Sequence, residues 1–195
     1  MKRLALLLAP GFEELEAAAH VSVFGWSRNI EGVEPYSLET IAIDREVLAA
    51  HGTQVRASTR VADADPKAYV GIAIPGGFFE KGFAHSCDPP ILAFLRAADA
   101  AGTTFAATTT GTRVLAAAGL LVGKRATTYP FSEGRHRAFL AECGATPSDG
   151  PIERDGSFLT GSTTACAVDL AFELLRVLEG DRAVAAVRRV MGYVG

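Results

Sequence analysis

Long apolar stretches are scarce in this sequence. The run at Leu4 to Ala9 falls far short of the roughly 20 residues a membrane-crossing helix needs, and it meets Pro10-Gly11 without a small-residue cleavage pattern. It reads as a buried first strand, and no membrane partner is expected. Clustered positive charge is also missing. With a net charge of -3 and no Lys/Arg cluster interleaved with aromatics, the chain offers no field for a polyanion, so nucleic acid is not expected as a partner. Cysteine is sparse too. Cys87, Cys143 and Cys166 are odd in number and lack metal-ligand spacing or a disulfide framework, so no metal or other cofactor is expected and a reducing, cytoplasmic setting fits. Repeats, low-complexity tracts and linkers are absent as well.

What is present is apolar content sufficient for a core. At 195 residues and 49% hydrophobic, the chain is expected to form one domain over residues 1–195. Strand-like and helix-like stretches alternate, the pattern of an α/β protein whose parallel or mixed sheet is covered by helices on both faces. Strands are expected at Leu4–Ala9, Tyr36–Ile43, Ala68–Ile74, Thr104–Thr108 and Ala126–Thr128, with hairpins at Val47–Ala57 and Ile152–Thr160. Tyr36–Ile43 and the Val47–Ala57 hairpin are expected at the sheet's edge. Helices are expected from Glu13-Glu14 to about Trp26, then at Pro90–Ala101, Thr112–Ala118, Ser132–Cys143, Ala165–Leu178 and Arg182–Met191.

Ligands of doubly wound sheets bind beyond the carboxyl ends of the strands, which directs attention to the segments after Ala9, Ile74 and Thr108. At Phe105-Ala-Ala-Thr-Thr-Thr-Gly111 an apolar strand passes directly into a helix. Such an elbow holds one side chain up beside backbone N–H groups and the positive helix end. The exposed residue is Thr109 or Thr110, and the alternative is a threonine-rich strand end whose hydroxyls only satisfy backbone groups. Pro75-Gly76-Gly77 can present bare N–H groups to a ligand or be a simple turn. Glu13 and Glu16 are spaced to share one face of the first helix, either as reaching carboxylates or as complements to the helix dipole. His20, one turn beyond Glu16, is the best placed of four histidines (with His51, His85 and His136) to supply a base, and Cys166 lies at a helix start.

Taken in order, Pro10-Gly-Phe-Glu-Glu-Leu-Glu16, Ala73-Ile-Pro-Gly-Gly77 and the segment from Thr109 through Ala117-Ala-Gly-Leu-Leu-Val-Gly-Lys-Arg-Ala-Thr-Thr-Tyr-Pro130 resemble the ThiJ/PfpI superfamily over nearly the whole chain. The resemblance implies a flavodoxin-like three-layer sandwich with a mostly parallel central sheet, commonly homodimeric, related to the class I glutamine amidotransferases. It implies a pocket in which a nucleophilic cysteine at the elbow stands near the glutamate matching Glu16. Elbow and Pro-Gly-Gly amides form the oxyanion hole in such relatives, and their activities include deglycase, peptidase and isonitrile hydratase chemistry. Here Thr109 occupies the cysteine position, Thr110 stands where peptidase-like members have histidine, and Tyr129 stands where deglycase-like members have theirs.

A thiol ionises near pH 8.5 whereas an alkanol needs a general base, so cysteine-dependent chemistry is not expected. The expected site has Glu16 as acid/base and Thr109 at the elbow, with Gly76, Gly77, Thr110, Gly111, Tyr129 and Thr163 binding a substrate or anion and Ser162 and Thr164 nearby. Two functions fit: a hydratase, isomerase or lyase acting on a small carbonyl-like compound, or a non-catalytic metabolite-binding or stress-protective dimer.

Overall fold

The computed structural model describes residues 1–193. In chain order the strands are β1 (Lys2–Leu7), β2 (Tyr36–Ala42), β3 (Glu46–Leu48), β4 (Gln54–Arg56), β5 (Thr59–Arg60), β6 (Gly71–Ile74), β7 (Thr104–Thr108), β8 (Arg125–Ala126), β9 (Thr146–Pro147), β10 (Ile152–Asp155) and β11 (Phe158–Gly161). The helices are α1 (Glu14–Ser27), α2 (Pro89–Ala100), α3 (Gly111–Ala117), α4 (Arg135–Glu142), α5 (Ala167–Glu179) and α6 (Asp181–Val190). The central sheet runs β10-β11-β7-β6-β1-β2-β5 and is parallel throughout except for the antiparallel β10–β11 hairpin at one edge.

Parallel strands covered on both faces must be apolar on both, and the register shows how the sequence meets this. Ala5, Ile72, Phe105 and Phe158 are neighbours across four strands and join the core beneath α2, α3 and α4. Ala106 and Leu159, one residue on, face the opposite way and pack with Leu170, Phe172, Leu174 and Leu175 of α5 and Val23 and Phe24 of α1. The result is the expected flavodoxin-like sandwich. Among the described residues no helix is long and apolar enough to cross a membrane.

Three sequence expectations need correction. The Val47–Ala57 hairpin does not extend the sheet; β3 and β4 form a two-stranded sheet of their own, and β5 is the edge beyond β2. Its loop is instead tied to the chain leaving β1, through Gly11 N–H to the Leu48 carbonyl (2.8 Å) and Ala50 N–H to the Phe12 carbonyl (2.8 Å). The strand expected from Ala68 starts only at Gly71, because Pro66 opens a 3-10 turn over Pro66–Ala68. The helix expected from Ser132 starts at Arg135, since Ser132, Glu133 and Gly134 all have positive φ (81°, 55° and 75°) and none can sit in a right-handed helix.

Candidate functional site

The chain leaves β7 at Thr108 and enters α3 at Gly111. Between them Thr109 takes a φ of +49°, a left-handed conformation that is costly for a β-branched residue, on the order of 1–3 kcal/mol, and survives only where the surroundings enforce it. They do so here. Thr109 N–H donates to the Gly161 carbonyl at 2.7 Å, and the Thr109 carbonyl accepts from Thr128 Oγ1 at 2.8 Å. Of the two residues left open by the sequence, Thr109 is therefore the strained one; Thr110 has an ordinary helical φ of -70°.

Glu16 comes from the first turn of α1, held by Glu13, whose carboxylate accepts the Glu16 N–H at 2.8 Å as the N-cap. Its side chain is 1% exposed. Thr109 Oγ1 lies 3.1 Å from Oε1 and 3.0 Å from Oε2 of Glu16, Thr164 Oγ1 donates to Oε1 at 2.7 Å, and Gly76 N–H donates to Oε2 at 2.7 Å. Burial pushes the Glu16 carboxyl above the ordinary carboxylate range, opposed by the bonds from Thr164, Gly76 and Thr109, which favour the charged form. Glu13, nearby, pushes it further in the same direction as burial. Gly76 N–H can only donate, but a hydroxyl can turn, so a proton on Glu16 can be shared with Thr109.

The Pro-Gly-Gly turn is glycine-rich because of close approach. A Cβ on Gly76 would fall 1.9 Å from Thr109 Oγ1, and one on Gly77 would fall 2.4 Å from the Gly11 carbonyl. Gly111 likewise wedges beneath the Ile74 carbonyl, 2.4 Å from where a Cβ would sit. The Gly76 and Gly77 amides do not face a vacant anion site, as the sequence had them do. Gly76 N–H is bound by Glu16, and Gly77 N–H donates to Thr110 Oγ1 at 2.8 Å, while that hydroxyl donates to the Gly77 carbonyl at 2.9 Å.

Glu16, Thr109, Thr110, Gly77 and Tyr129 line one cavity of about 280 Å³, together with Glu13, Phe78, Phe79, Glu80, Ser132, Arg135, His136 and Thr164. Thr163 is not among its walls; it caps a 3-10 turn with Cys166, whose Sγ donates to the Thr163 carbonyl at 2.8 Å. Its neighbour Thr164 takes the place expected for it. His20 is completely buried, with Nδ1 3.1 Å from the Glu16 carbonyl, and burial brings its pKa down to about 4; it faces the core and not the cavity. His136 is the histidine that the fold delivers to the cavity, a placement that only the packing of α4 decides. Phe78 and Phe79 were within reach of sequence reasoning, since they directly follow Gly77.

Among the described residues, Glu13, Glu14 and His51 bring potential metal ligands within 4.8 Å of one another. Their carboxylates are engaged with backbone: Glu14 Oε1 accepts from His51 N–H at 2.9 Å and Thr53 N–H at 3.4 Å, anchoring the β3–β4 loop to α1.

The sequence model of the DJ-1/PfpI family matches residues 2–177. The chain belongs to the DJ-1/PfpI family. It is 32% identical to the isonitrile hydratase of Pseudomonas putida over 147 residues, which is 75% of this chain and 61% of that protein. It is 33% identical over 81 residues to an uncharacterised protein of Staphylococcus saprophyticus, covering 40% and 42% of the two chains. The chain thus spans about three fifths of the hydratase's length and about two fifths of the staphylococcal protein's.

Solved structures share the DJ-1/PfpI fold. A ThiJ/PfpI family protein from Pseudomonas syringae superposes with a TM-score of 0.86 at 22% identity, over 100% of this chain and 76% of its own. Drosophila melanogaster DJ-1beta superposes with 0.84 at 22% identity over 97% of each chain. A cysteine-to-alanine mutant of a DJ-1 superfamily protein from Salmonella typhimurium gives 0.81 at 26% identity over the full length of both.

Proposed function

We propose that this protein is a hydratase of small unsaturated compounds, isonitriles first among them, in which Glu16 is the acid/base and Thr109 takes the elbow position that a cysteine holds in relatives. The observation that carries the reading is the buried Glu16 carboxyl on a cavity wall, its proton affinity raised by burial and its oxygens facing Thr109 Oγ1. None of the three cysteines lines that cavity, so a thiol nucleophile has no part in the scheme.

An isonitrile carries a lone pair on its terminal carbon. Glu16 in its acid form gives its proton to that carbon, water adds there as the new C–O bond forms, and the surplus proton of the water returns to Glu16. Transfer of the remaining hydroxyl proton to nitrogen completes an N-substituted formamide, so water and isonitrile are consumed in equal numbers. Thr109 orients the carboxyl and the water. The similarity to the P. putida hydratase supports this choice of substrate.

The protein is further proposed to act as a single domain and a homodimer in the cytoplasm, needing no metal or cofactor. The second reading is a binding protein for small polar metabolites, whose polar contacts would come from the Thr109, Thr110 and Thr164 hydroxyls on the cavity wall, since the Gly76 and Gly77 amides already meet protein acceptors. Formamide production from small alkyl isonitriles separates the two. Turnover should fall at least 100-fold in Glu16→Gln and persist within about ten-fold in Thr109→Val, magnitudes usual for loss of a general acid and of an orienting group. Turnover unaffected by Glu16→Gln would leave the binding reading.

A further inference from the structure

We propose that His136 is a neutral hydrogen-bond donor whose Nε2–H engages an acceptor atom on the bound compound, so that the preferred substrates carry a neutral carbonyl-type group beyond their reacting end. The inference deepens the hydratase reading and rests on it for the reaction, but its geometric basis is separate. His136 lies in the first turn of α4, is 2% exposed and lines the cavity that Glu16 lines. Its Nδ1 is 3.3 Å from Nη1 of Arg113. A guanidinium has five N–H donors and no acceptor, so Nδ1 must present its lone pair and the ring's single proton sits on Nε2.

The arrangement is held from both sides. Arg113 reaches up from α3, the helix that begins at the elbow, with its guanidinium carbon 3.9 Å from the centre of the Phe139 ring and 5.1 Å from that of Phe79. Phe79 stacks on the His136 ring at 6.3 Å between centroids and 19° between planes, and Tyr129 meets it edge-on at 6.0 Å. Burial, with the charges of Arg113 and Arg135, keeps the ring's pKa down at about 4, so the single-proton form persists at neutral pH. Among the described residues Nε2 has no hydrogen-bond partner, yet it is not one of the sealed, unpartnered buried atoms, as His20 Nε2 is. Nε2 therefore keeps some exposure, and since His136 is a wall of the cavity its Nε2–H is the donor assigned to that space. Glu13, Glu16 and Glu80 line that space against the one cation Arg135, and an ester or amide carbonyl suits this balance better than a carboxylate does.

The test uses two isonitriles of matched length, methyl isocyanoacetate, which carries an ester carbonyl, and n-butyl isocyanide, which carries none. In the wild-type protein labelled with 15N-histidine, NMR should show His136 with a protonated Nε2 and a bare Nδ1. Methyl isocyanoacetate should shift the Nε2 resonance and n-butyl isocyanide should leave it in place. In turnover, the ester should be preferred roughly ten-fold in kcat/KM, the scale of one net hydrogen bond, and His136→Phe should bring the ratio near one. A proton on Nδ1, an Nε2 resonance indifferent to both compounds, or a preference unchanged in His136→Phe overturns the proposal. If neither isonitrile is turned over while the ester still moves Nε2, the hydratase reading fails and the donor role of His136 stands. The NMR measurements need no variant and so do not depend on one folding.

Discussion

Thr109 Oγ1 fills the space that a Cβ at Gly76 would need, and each residue is explained by the other. Thr109 is turned to a φ of +49°, which lifts its Oγ1 towards Glu16; Gly76 leaves the space for that hydroxyl, since a Cβ there would overlap it at 1.9 Å. Gly76→Ala should therefore cost about 1–3 kcal/mol, the usual range for overpacking a filled site. Part of the clash disappears once Oγ1 is removed, so the Gly76→Ala/Thr109→Ala pair should be less destabilised than the sum of the singles by about 1 kcal/mol, as expected for side chains in contact. Urea unfolding of the four proteins measures this, and strict additivity would mean that the two groups do not meet.

His20 shows a second residue-scale effect. Its imidazole is buried, with Nδ1–H available to the Glu16 carbonyl and Nε2 without a partner, and its pKa is about 4 where an exposed histidine titrates near 6.5. Between those values the unfolded chain binds the proton and the folded one does not. Stability is then complete above about pH 6.5 and lost as pH falls towards 4, while the raised pKa of Glu16 works in the opposite sense, costing stability as pH rises through it. Between pH 7 and 4.5 His20 alone should remove about 2–3 kcal/mol. His20→Met should be correspondingly less acid-sensitive; equal losses in the two proteins would show that the imidazole is not held neutral by the fold.

At the scale of elements, α1 does three things along one 14-residue length. Its first turn presents Glu16 to the cavity and Glu14 to the β3–β4 loop. Its inner face, with Ala19, Val23 and Phe24, packs on α5 and the sheet. Its outer side leaves Leu15, Val21 and Trp26 about half exposed, at 55%, 46% and 45%, with Leu15 and Trp26 near one flank of that side and Val21 on the other. The site depends on this helix through its N-cap. Glu13→Ala removes the acceptor for Glu16 N–H and should lower stability by about 1 kcal/mol. Reduced isonitrile turnover with intact secondary structure would trace that loss to the site, through Glu16's position or the charge Glu13 places beside it, and circular dichroism alongside activity separates this from unfolding.

At the scale of the molecule, the homodimer proposed above is expected to cover exposed apolar groups of α1 such as Leu15, Val21 and Trp26. In the proposed homodimer Val21→Glu should favour the monomer in light scattering at micromolar concentration, since a charge buried in an apolar contact is left unpaired. A wild-type protein that is already monomeric would remove the proposal. The sheet itself places the catalytic candidates. Because β1, β6, β7 and β11 are parallel and adjacent, their carboxyl ends lie at one rim, and segments separated by 60, 93 and 148 residues (Glu16 with Gly76, Thr109 and Thr164) meet there.

The alternation of short apolar strands with amphipathic helices was legible from the chain alone, because burial on both faces of a parallel sheet demands it locally. So were the elbow, the Pro-Gly-Gly turn and the acidic start of α1, since each has its own local pattern. Tertiary structure alone decided that Glu16 would be enclosed and its carboxyl pushed up, that the Gly76 and Gly77 amides would meet protein acceptors, that Thr164 and not Thr163 would reach the cavity, and that His136 and not His20 would line it. The physical reason is the same in every case. Proton affinity, hydrogen-bond pairing and access depend on which atoms of distant segments come within a few ångströms, and no spacing along one segment encodes that distance.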